Sequence, residues 1–183
     1  MKNAIIFHGM GATPNSFWIP WLKAELEKKE YAVNVPQLPQ ADAPDLKVQL
    51  PFALENCTFD SETVLIGHSA GCPLILSLLE GINVTVKKVI FIAGFCTPLG
   101  NDTFDPIIQE FYNWKKIPAR ANEFIFINSD NDPWGCDVKQ GKLMRKQLGG
   151  RLIVAKGEGH FGSETYNQQY KEFPLLLKAI EEN

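Results

Sequence analysis

The apolar positions of this chain form short runs rich in β-branched residues, separated by longer stretches with helical spacing. The runs are continuous rather than alternating with polar residues, which is typical of parallel strands covered on both faces by helices. We therefore predict strands at 4–7, 31–35, 63–66, 86–92, 123–128 and 152–155.

Helical spacing lies between these runs, at residues 17–29, 45–56, 70–80, 105–113, 137–148 and 167–182. The stretch 70–80 is apolar on nearly every side, which predicts a central, buried helix. Pro51 and Pro174 make two of the helix boundaries uncertain, because a proline inside a helix removes a hydrogen bond and clashes with the preceding turn.

Strands that alternate with helices predict an α/β fold of three layers, with a mostly or wholly parallel six-stranded sheet in the order 2-1-3-4-5-6. The 183 residues are expected to form one domain, 1–183. The long irregular segment 94–122 is either a small cover beside the site or a crossover helix with ordinary core aromatics.

Composition narrows the class of protein. A hydrophobic content of 45% excludes a disordered chain, and a net charge of −3 argues against a nucleic-acid partner or a basic membrane surface. No apolar run is long enough to span a bilayer, and the N-terminus lacks the pattern of a signal peptide. The four cysteines are widely spaced, so we expect free thiols, no metal site and a cytoplasmic location.

The strongest local motif is Gly67-His68-Ser69-Ala70-Gly71, which lies between a predicted strand and the predicted buried helix. A nucleophile elbow has this arrangement: a sharp strand-to-helix turn exposes the serine, and the flanking glycines allow close backbone approach. Ser69 is therefore the candidate nucleophile.

A serine nucleophile needs a base, and His160 is the candidate. It lies in a glycine-flanked loop just after the last predicted strand. His68 is adjacent to Ser69 along the chain, so its side chain points away from the Ser69 hydroxyl and either lines the pocket floor or packs in the core.

The acid is expected in the loop after the penultimate strand, Asn128-Ser129-Asp130-Asn131-Asp132-Pro133-Trp134. Two aspartates compete for the role. Asp132 precedes a proline and is held extended, which suits a side chain directed at His160, so it is preferred. Asp130 is interpreted as a turn residue that bonds its own backbone.

An oxyanion hole requires two amide donors. One is predicted at Ala70, after the nucleophile, and the other at Met10, in the loop 8–11 that follows the first strand. The carboxyl ends of the first and third strands would be neighbours in the predicted order, which places both amides beside Ser69.

Candidate substrate-binding residues surround these groups. Trp18, with Phe17 and Trp21, either forms an acyl-binding wall or is plain helix-face core. His8 is expected to brace the loop 8–11. The full set is His8, His68, Trp18 and Trp134.

No cofactor is expected. The segment Gly9-Met10-Gly11-Ala12-Thr13-Pro14 follows a strand as a dinucleotide fingerprint does, but proline replaces its third glycine and no acid follows the second strand to hold a ribose.

Together the motifs resemble the α/β-hydrolase superfamily, and within it the compact serine hydrolases related to retinoblastoma-binding protein 9. The matching positions are His8-Gly9-x-Gly11, Gly67–Gly71, Asp132-Pro133 and Gly159-His160-Phe161. The resemblance implies a truncated sheet without the two N-terminal antiparallel strands, little or no lid and a Ser-His-Asp triad.

We therefore expect a hydrolase that cleaves small carboxylic esters, with amides or aminoacyl esters as further substrates, through an acyl-enzyme on Ser69. The alternative is a hydrolase-fold protein-interaction module with little or no turnover, because a fold alone does not determine function.

Overall fold

A computed structural model of the chain describes residues 1–182. Six parallel strands form one sheet in the order β2-β1-β3-β4-β5-β6, which confirms the predicted topology. The strands are β1 Asn3–Phe7, β2 Ala32–Asn34, β3 Thr63–His68, β4 Lys88–Ile92, β5 Phe124–Ser129 and β6 Arg151–Ala155.

Helices cover both faces of the sheet. They are α1 Ile19–Lys28, α2 Leu46–Asn56, α3 Gly71–Gly81, α4 Val138–Leu148 and α5 Pro174–Glu181. Helices α1 and α5 pack beside each other on one face, while α2, α3 and α4 cover the other. Helix α2 continues through Pro51, because that residue is exposed and water can reach the carbonyl that it leaves unbonded.

The core lies where the sequence is most continuously apolar. Strands β3, β4 and β5 are buried at every position, and helix α3 is buried from residue 71 to residue 79. Each fully buried leucine or isoleucine contributes about 1.5–3 kcal/mol to stability. The turn between β3 and α3 is therefore fixed between two of the most rigid elements of the fold.

The chain reverses its direction of travel across the sheet at β1. It moves outward to β2 and then returns to β3, which pairs with β1 so that Phe7 lies opposite Gly67. The loops after β1 and β3 consequently leave the same edge of the sheet side by side, at the switch point where open α/β sheets bind ligands.

Two predicted helices are wrong in extent. Residues 105–113 contain one short 3-10 turn, Asp105–Ile107, because side chains take amides that a helix would use: the Gln109 amide donates to the Tyr112 hydroxyl at 3.3 Å and the Asn113 amide to Glu80 at 2.9 Å. The last helix begins at Pro174 instead of residue 167, since proline is favoured in the first turn. Residues 163–168 form a small hairpin instead.

No helix among residues 1–182 combines the length and the hydropathy that crossing a membrane requires.

Candidate active site

Ser69 occupies a strained turn between β3 and α3. Its φ of 52° lies in the left-handed region, which costs a non-glycine residue about 1–3 kcal/mol and is typical of functional sites. A Cβ on Gly67 would lie 2.9 Å from the Gly71 carbonyl oxygen, and one on Gly71 would lie 2.3 Å from the Phe7 oxygen. Only glycines allow the turn to pack this closely against β1.

Met10 and Ala70 border the same cavity as Ser69. Their neighbours are already bonded, since Gly11 donates to the Ala41 oxygen at 2.8 Å and Ser69 donates to the Ile92 oxygen at 2.9 Å. Among residues 1–182, neither the Met10 nor the Ala70 amide has a protein acceptor. Helix α3 also begins without a side-chain cap, which leaves the positive end of its dipole at the cavity.

Asp132 and His160 form the buried polar pair of the site. His160 Nδ1 lies 2.8 Å from Asp132 Oδ2, and the other carboxylate oxygen accepts the Trp134 amide at 2.9 Å. The Asp132 side chain is 0% exposed. Because Asp132 occupies Nδ1, Nε2 is the imidazole nitrogen left for another partner.

Ser69 and His160 border one cavity. No hydrogen bond of ordinary length joins the Ser69 hydroxyl to the His160 ring in the part of the chain that the structure describes. Such bonds are often long in free enzymes and tighten when substrate binds.

The loop after β5 holds the loop that carries His160. The Gly157 amide donates to Asp130 at 2.8 Å, the Glu158 amide to the Ser129 hydroxyl at 3.1 Å, and the Gly159 amide to Asn131 at 2.8 Å. Asp130 does lie in a turn, as predicted, but its carboxylate accepts the Gly157 amide of the neighbouring loop instead of an amide of its own turn. Asp132 is the aspartate whose carboxylate binds the imidazole.

His68 borders the cavity and is buried. Its Nε2 lies 2.8 Å from the His160 carbonyl oxygen, and its ring packs against the rings of Trp18 and His160. A carbonyl oxygen only accepts, so Nε2 carries the proton. Burial, and then the neighbouring His160, lowers the pKa of His68 to about 3. His68 is therefore neutral at physiological pH.

Acidification should destabilise the protein through His68. Unfolded histidine titrates near pH 6.5, so the unfolded chain binds more protons between pH 6.5 and about 3, and stability is lost as the pH falls through that range. We expect His68 to contribute about 2 kcal/mol of this loss by pH 5. Urea unfolding at pH 7.5 and pH 5 measures it.

The matched variant for this measurement is His68→Gln, which cannot titrate. Its free energy of unfolding should fall less steeply below pH 6.5 than that of the unmodified protein. Burial also lowers the pKa of His8, so some of the slope remains. Equal slopes in the two proteins would contradict the assignment.

The cavity itself is small and mainly apolar, with a volume of about 140 Å³. Phe17, Phe104, Trp134 and Cys136 supply its larger apolar walls, and residues 162–165 close one side. Glu164 is the charged carboxylate on its wall. The segment 94–122 contributes Phe104.

Two of the predicted pocket residues do not reach this cavity. Trp18 is fully buried behind His68, and its indole N–H donates to the Phe161 oxygen at 3.0 Å. Phe17 borders the cavity in its place. His8 is buried at the start of the loop 8–11. Its Nε2 accepts the Leu38 amide at 3.1 Å, and its Nδ1 donates to the Gly9 oxygen at 3.0 Å. Of the other candidates, His68 and Trp134 do border the cavity.

Comparison with known proteins agrees with this geometry. The family model described as "Serine hydrolase" matches residues 4–180. The chain belongs to the serine hydrolase family.

Two relatives of this serine hydrolase extend over nearly the whole chain. YdeN of Bacillus subtilis (strain 168) is 28% identical over 183 residues, which cover 98% of this chain and 94% of YdeN. The serine hydrolase RBBP9 of Rattus norvegicus is 23% identical over 176 residues, covering 94% of this chain and 91% of RBBP9. The crystal structure of the B. subtilis ydeN gene product superposes with a TM-score of 0.90, at 26% identity, over 98% of this chain and 97% of that one.

One group of side chains in this serine hydrolase has the composition of a metal site. Single donor atoms of Asp132, Cys136 and His160 lie within 4.8 Å of one another. The carboxylate and the imidazole are already bonded to each other, and burial raises the pKa of the Cys136 thiol well above its usual range. A resident metal would require the Cys136 thiolate, which burial disfavours, and a carboxylate that is already bonded to His160 and to the Trp134 amide, so the donor set does not fit one.

Sequence reasoning missed several residues that shape the site. Cys136 and the hairpin 163–168 follow the predicted motifs by a few residues, but no local pattern marks them as cavity wall. Phe104 lies in the segment 94–122, which was predicted either to cover the site or to supply core aromatics, and it was not singled out as a cavity residue. Gln168 is the most important omission, because its side-chain oxygen accepts the His160 amide at 2.8 Å. A weak signal existed in Gly159, where a Cβ would lie 1.9 Å from Gln168 Nε2.

Proposed function

We propose that this serine hydrolase cleaves carboxylic esters through an acyl-enzyme on Ser69, with His160 as general base and Asp132 as its orienting acid. The observation that carries the proposal is the 2.8 Å bond between His160 and the buried Asp132 carboxylate, at the edge of a cavity that also holds Ser69. The Asp132 carboxylate is held by the His160 ring and the Trp134 amide, so it is placed to orient the imidazole and to stabilise the positive charge that the imidazole gains during turnover.

The first half of the reaction forms the acyl-enzyme. The Ser69 oxygen attacks the carbonyl carbon while His160 Nε2 takes the hydroxyl proton, and the carbonyl oxygen becomes an oxyanion. The Met10 and Ala70 amides, which have no acceptor among residues 1–182, would donate to that oxyanion. The tetrahedral intermediate collapses as the alcohol leaves with the proton from His160.

The second half regenerates the enzyme. Water loses a proton to His160 and attacks the acyl carbon, and the Ser69 oxygen leaves with that proton as the carboxylic acid is released. Asp132 accepts the Nδ1 proton in a hydrogen bond throughout and stabilises the imidazolium without being protonated. Every proton is accounted for by the chain and water, so the proposal includes no cofactor.

The cavity favours short, uncharged acyl groups. Its volume of about 140 Å³ is close to that of an engineered cavity that holds benzene. The walls are mostly aromatic or apolar, and Glu164 would repel an anionic acyl chain. Esters are preferred over amides in the proposal, because an alkoxide leaves more readily than an amide nitrogen. The four free thiols fit a reducing compartment such as the cytoplasm.

Labelling with a fluorophosphonate probe tests the proposal. We expect covalent labelling of folded protein on Ser69, located by mass spectrometry, and a burst of p-nitrophenol from p-nitrophenyl acetate that approaches one equivalent per chain. Heat-denatured protein and Ser69→Ala should remain unlabelled. An interaction module without turnover would leave Ser69 unlabelled and show no burst, while a serine hydrolase control reacts under the same conditions.

A further inference from the structure

The peptide groups around His160 are held from outside by side chains. The His160 amide donates to Gln168 Oε1 at 2.8 Å, and the His160 carbonyl accepts from His68 Nε2 at 2.8 Å. We propose that His68 and Gln168 are positioning residues that hold the backbone of His160 from both sides and thereby aim its imidazole at Ser69. This inference rests on the proposed function of His160 and goes beyond the triad.

His68 connects the loop that carries the candidate base to the turn that carries the nucleophile. It is the residue before Ser69, so a single peptide bond separates the backbone of the nucleophile from the group that holds the His160 carbonyl. The strained φ at Ser69 turns the serine side chain toward the cavity, while the His68 ring lies against the His160 ring with centroids 5.0 Å apart. Any movement of the loop that carries His160 (the base loop) away from the turn at Ser69 would break the bond between His68 Nε2 and the His160 carbonyl.

The unpartnered atom of His68 supports a dedicated role. Among residues 1–182, its Nδ1 is buried with no hydrogen-bond partner. An unpaired buried acceptor costs about 1–3 kcal/mol, so an apolar side chain would fill the same space more favourably. A histidine is explained by the donor that it offers to His160, and its neutrality keeps the Nε2 proton available without adding a charge beside the imidazolium.

Gln168 holds the opposite side from the hairpin 163–168. The hairpin closes on itself through two bonds, from the Ser163 amide to the Gln168 oxygen at 3.1 Å and from the Gln168 amide to the Ser163 oxygen at 2.8 Å. The Gln168 side chain lies so close over Gly159 that a Cβ at position 159 would displace it. The hairpin therefore both walls the cavity and fixes the base loop.

The test compares variants that differ in reach or in hydrogen-bonding capacity. In His68→Gln the amide nitrogen reaches the place of Nε2 and can donate to the His160 carbonyl, whereas in His68→Asn the shorter amide cannot. In Gln168→Glu an oxygen remains to accept the His160 amide, whereas Gln168→Leu has none. Gln140→Leu is the matched control. The Gln140 side chain also accepts a backbone amide, that of Cys96 at 3.1 Å, but it does not border the cavity.

We expect the kcat for p-nitrophenyl acetate to fall about 100-fold in His68→Asn and Gln168→Leu, with KM changed less than about threefold, because a misplaced base slows chemistry more than binding. His68→Gln and Gln168→Glu should recover most of the lost kcat. The Gln140→Leu control should keep the kcat of the unmodified protein. In parallel, the downfield NMR signal of the His160 Nδ1 proton reports directly on its bond to Asp132.

That signal separates the two hypotheses. If the unmodified protein has no esterase activity but the Nδ1 signal is lost in His68→Asn and kept in His68→Gln, the proposed function fails and the positioning role stands. If the unmodified protein is active and His68→Asn and Gln168→Leu retain its kcat and its Nδ1 signal, the positioning role is overturned.

Discussion

Replacing Ser69 with alanine is expected to lower ester turnover by about 10⁴–10⁶-fold, and His160→Ala should lower it by a similar factor. Ser69 supplies the atom that forms the acyl bond, and without the imidazole its hydroxyl has no acceptor for the proton. The measurement is kcat for p-nitrophenyl acetate, corrected for the spontaneous rate. Circular dichroism of each variant establishes that the fold is kept.

The double variant gives the sharper test. If the two residues act as one unit, Ser69→Ala/His160→Ala should be scarcely slower than either single variant, because the first substitution already removes the whole contribution. Losses that multiply would show that the two residues act independently, and the proposed mechanism would be abandoned.

Asp132→Asn should lower turnover on the order of 10⁴-fold. The asparagine keeps the size of the side chain but cannot balance the charge of the imidazolium, and its amide can donate to Nδ1 and so stabilise the wrong tautomer of His160. The carboxylate is completely buried and bonded to Nδ1 at 2.8 Å, so no other group can replace it. Turnover of p-nitrophenyl acetate between pH 6 and 9 measures the loss.

Asp130→Asn is the matched control, because the same substitution is made two residues away in the same loop. Its side-chain oxygen can still accept the Gly157 amide, and the position is exposed. The free energy of unfolding should change by less than about 0.5 kcal/mol, as for ordinary surface substitutions, and turnover should stay close to that of the unmodified protein. If Asp130→Asn abolished turnover and Asp132→Asn did not, the assignment of the acid would be wrong.

The sheet was predictable because burial on both faces leaves a direct mark on the sequence. The run around Ile66 and the apolar stretch after Ser69 mark the central strand and helix, and all six predicted strands exist with ends that differ by one or two residues. The segment 105–113 was not predictable in the same way. Its helical spacing is overridden by side chains, since the Gln109 amide donates to the Tyr112 hydroxyl and the Asn113 amide to Glu80, which lies 33 positions away in the chain.

The residues of the candidate site likewise include some that the sequence predicts and some that only the tertiary contacts define. Ser69, His160 and Asp132 could be predicted as candidates because each follows a predicted strand in a loop with distinctive chemistry. The sequence left open whether Phe17 and Trp18 wall the cavity or pack in the core, and the structure places Phe17 at the cavity and Trp18 in the core. Neighbouring side chains on a turn point in different directions, and a positive φ at Phe17 turns its ring toward Gly162. No pattern along the chain reports such a direction.

By itself, the sequence determined the order of strands and helices, the glycine-flanked elbow and the loops that carry the candidate nucleophile, base and acid, since these depend on local burial patterns and on loops that follow strands. Only the tertiary structure decided which aspartate contacts the imidazole, which aromatic rings wall the cavity and how His68 and Gln168 hold the base loop. Those contacts join residues as far as 92 positions apart. They form because the loops after β3, β5 and β6 leave the same edge of the sheet, and an arrangement of this kind leaves no periodic signal in the sequence.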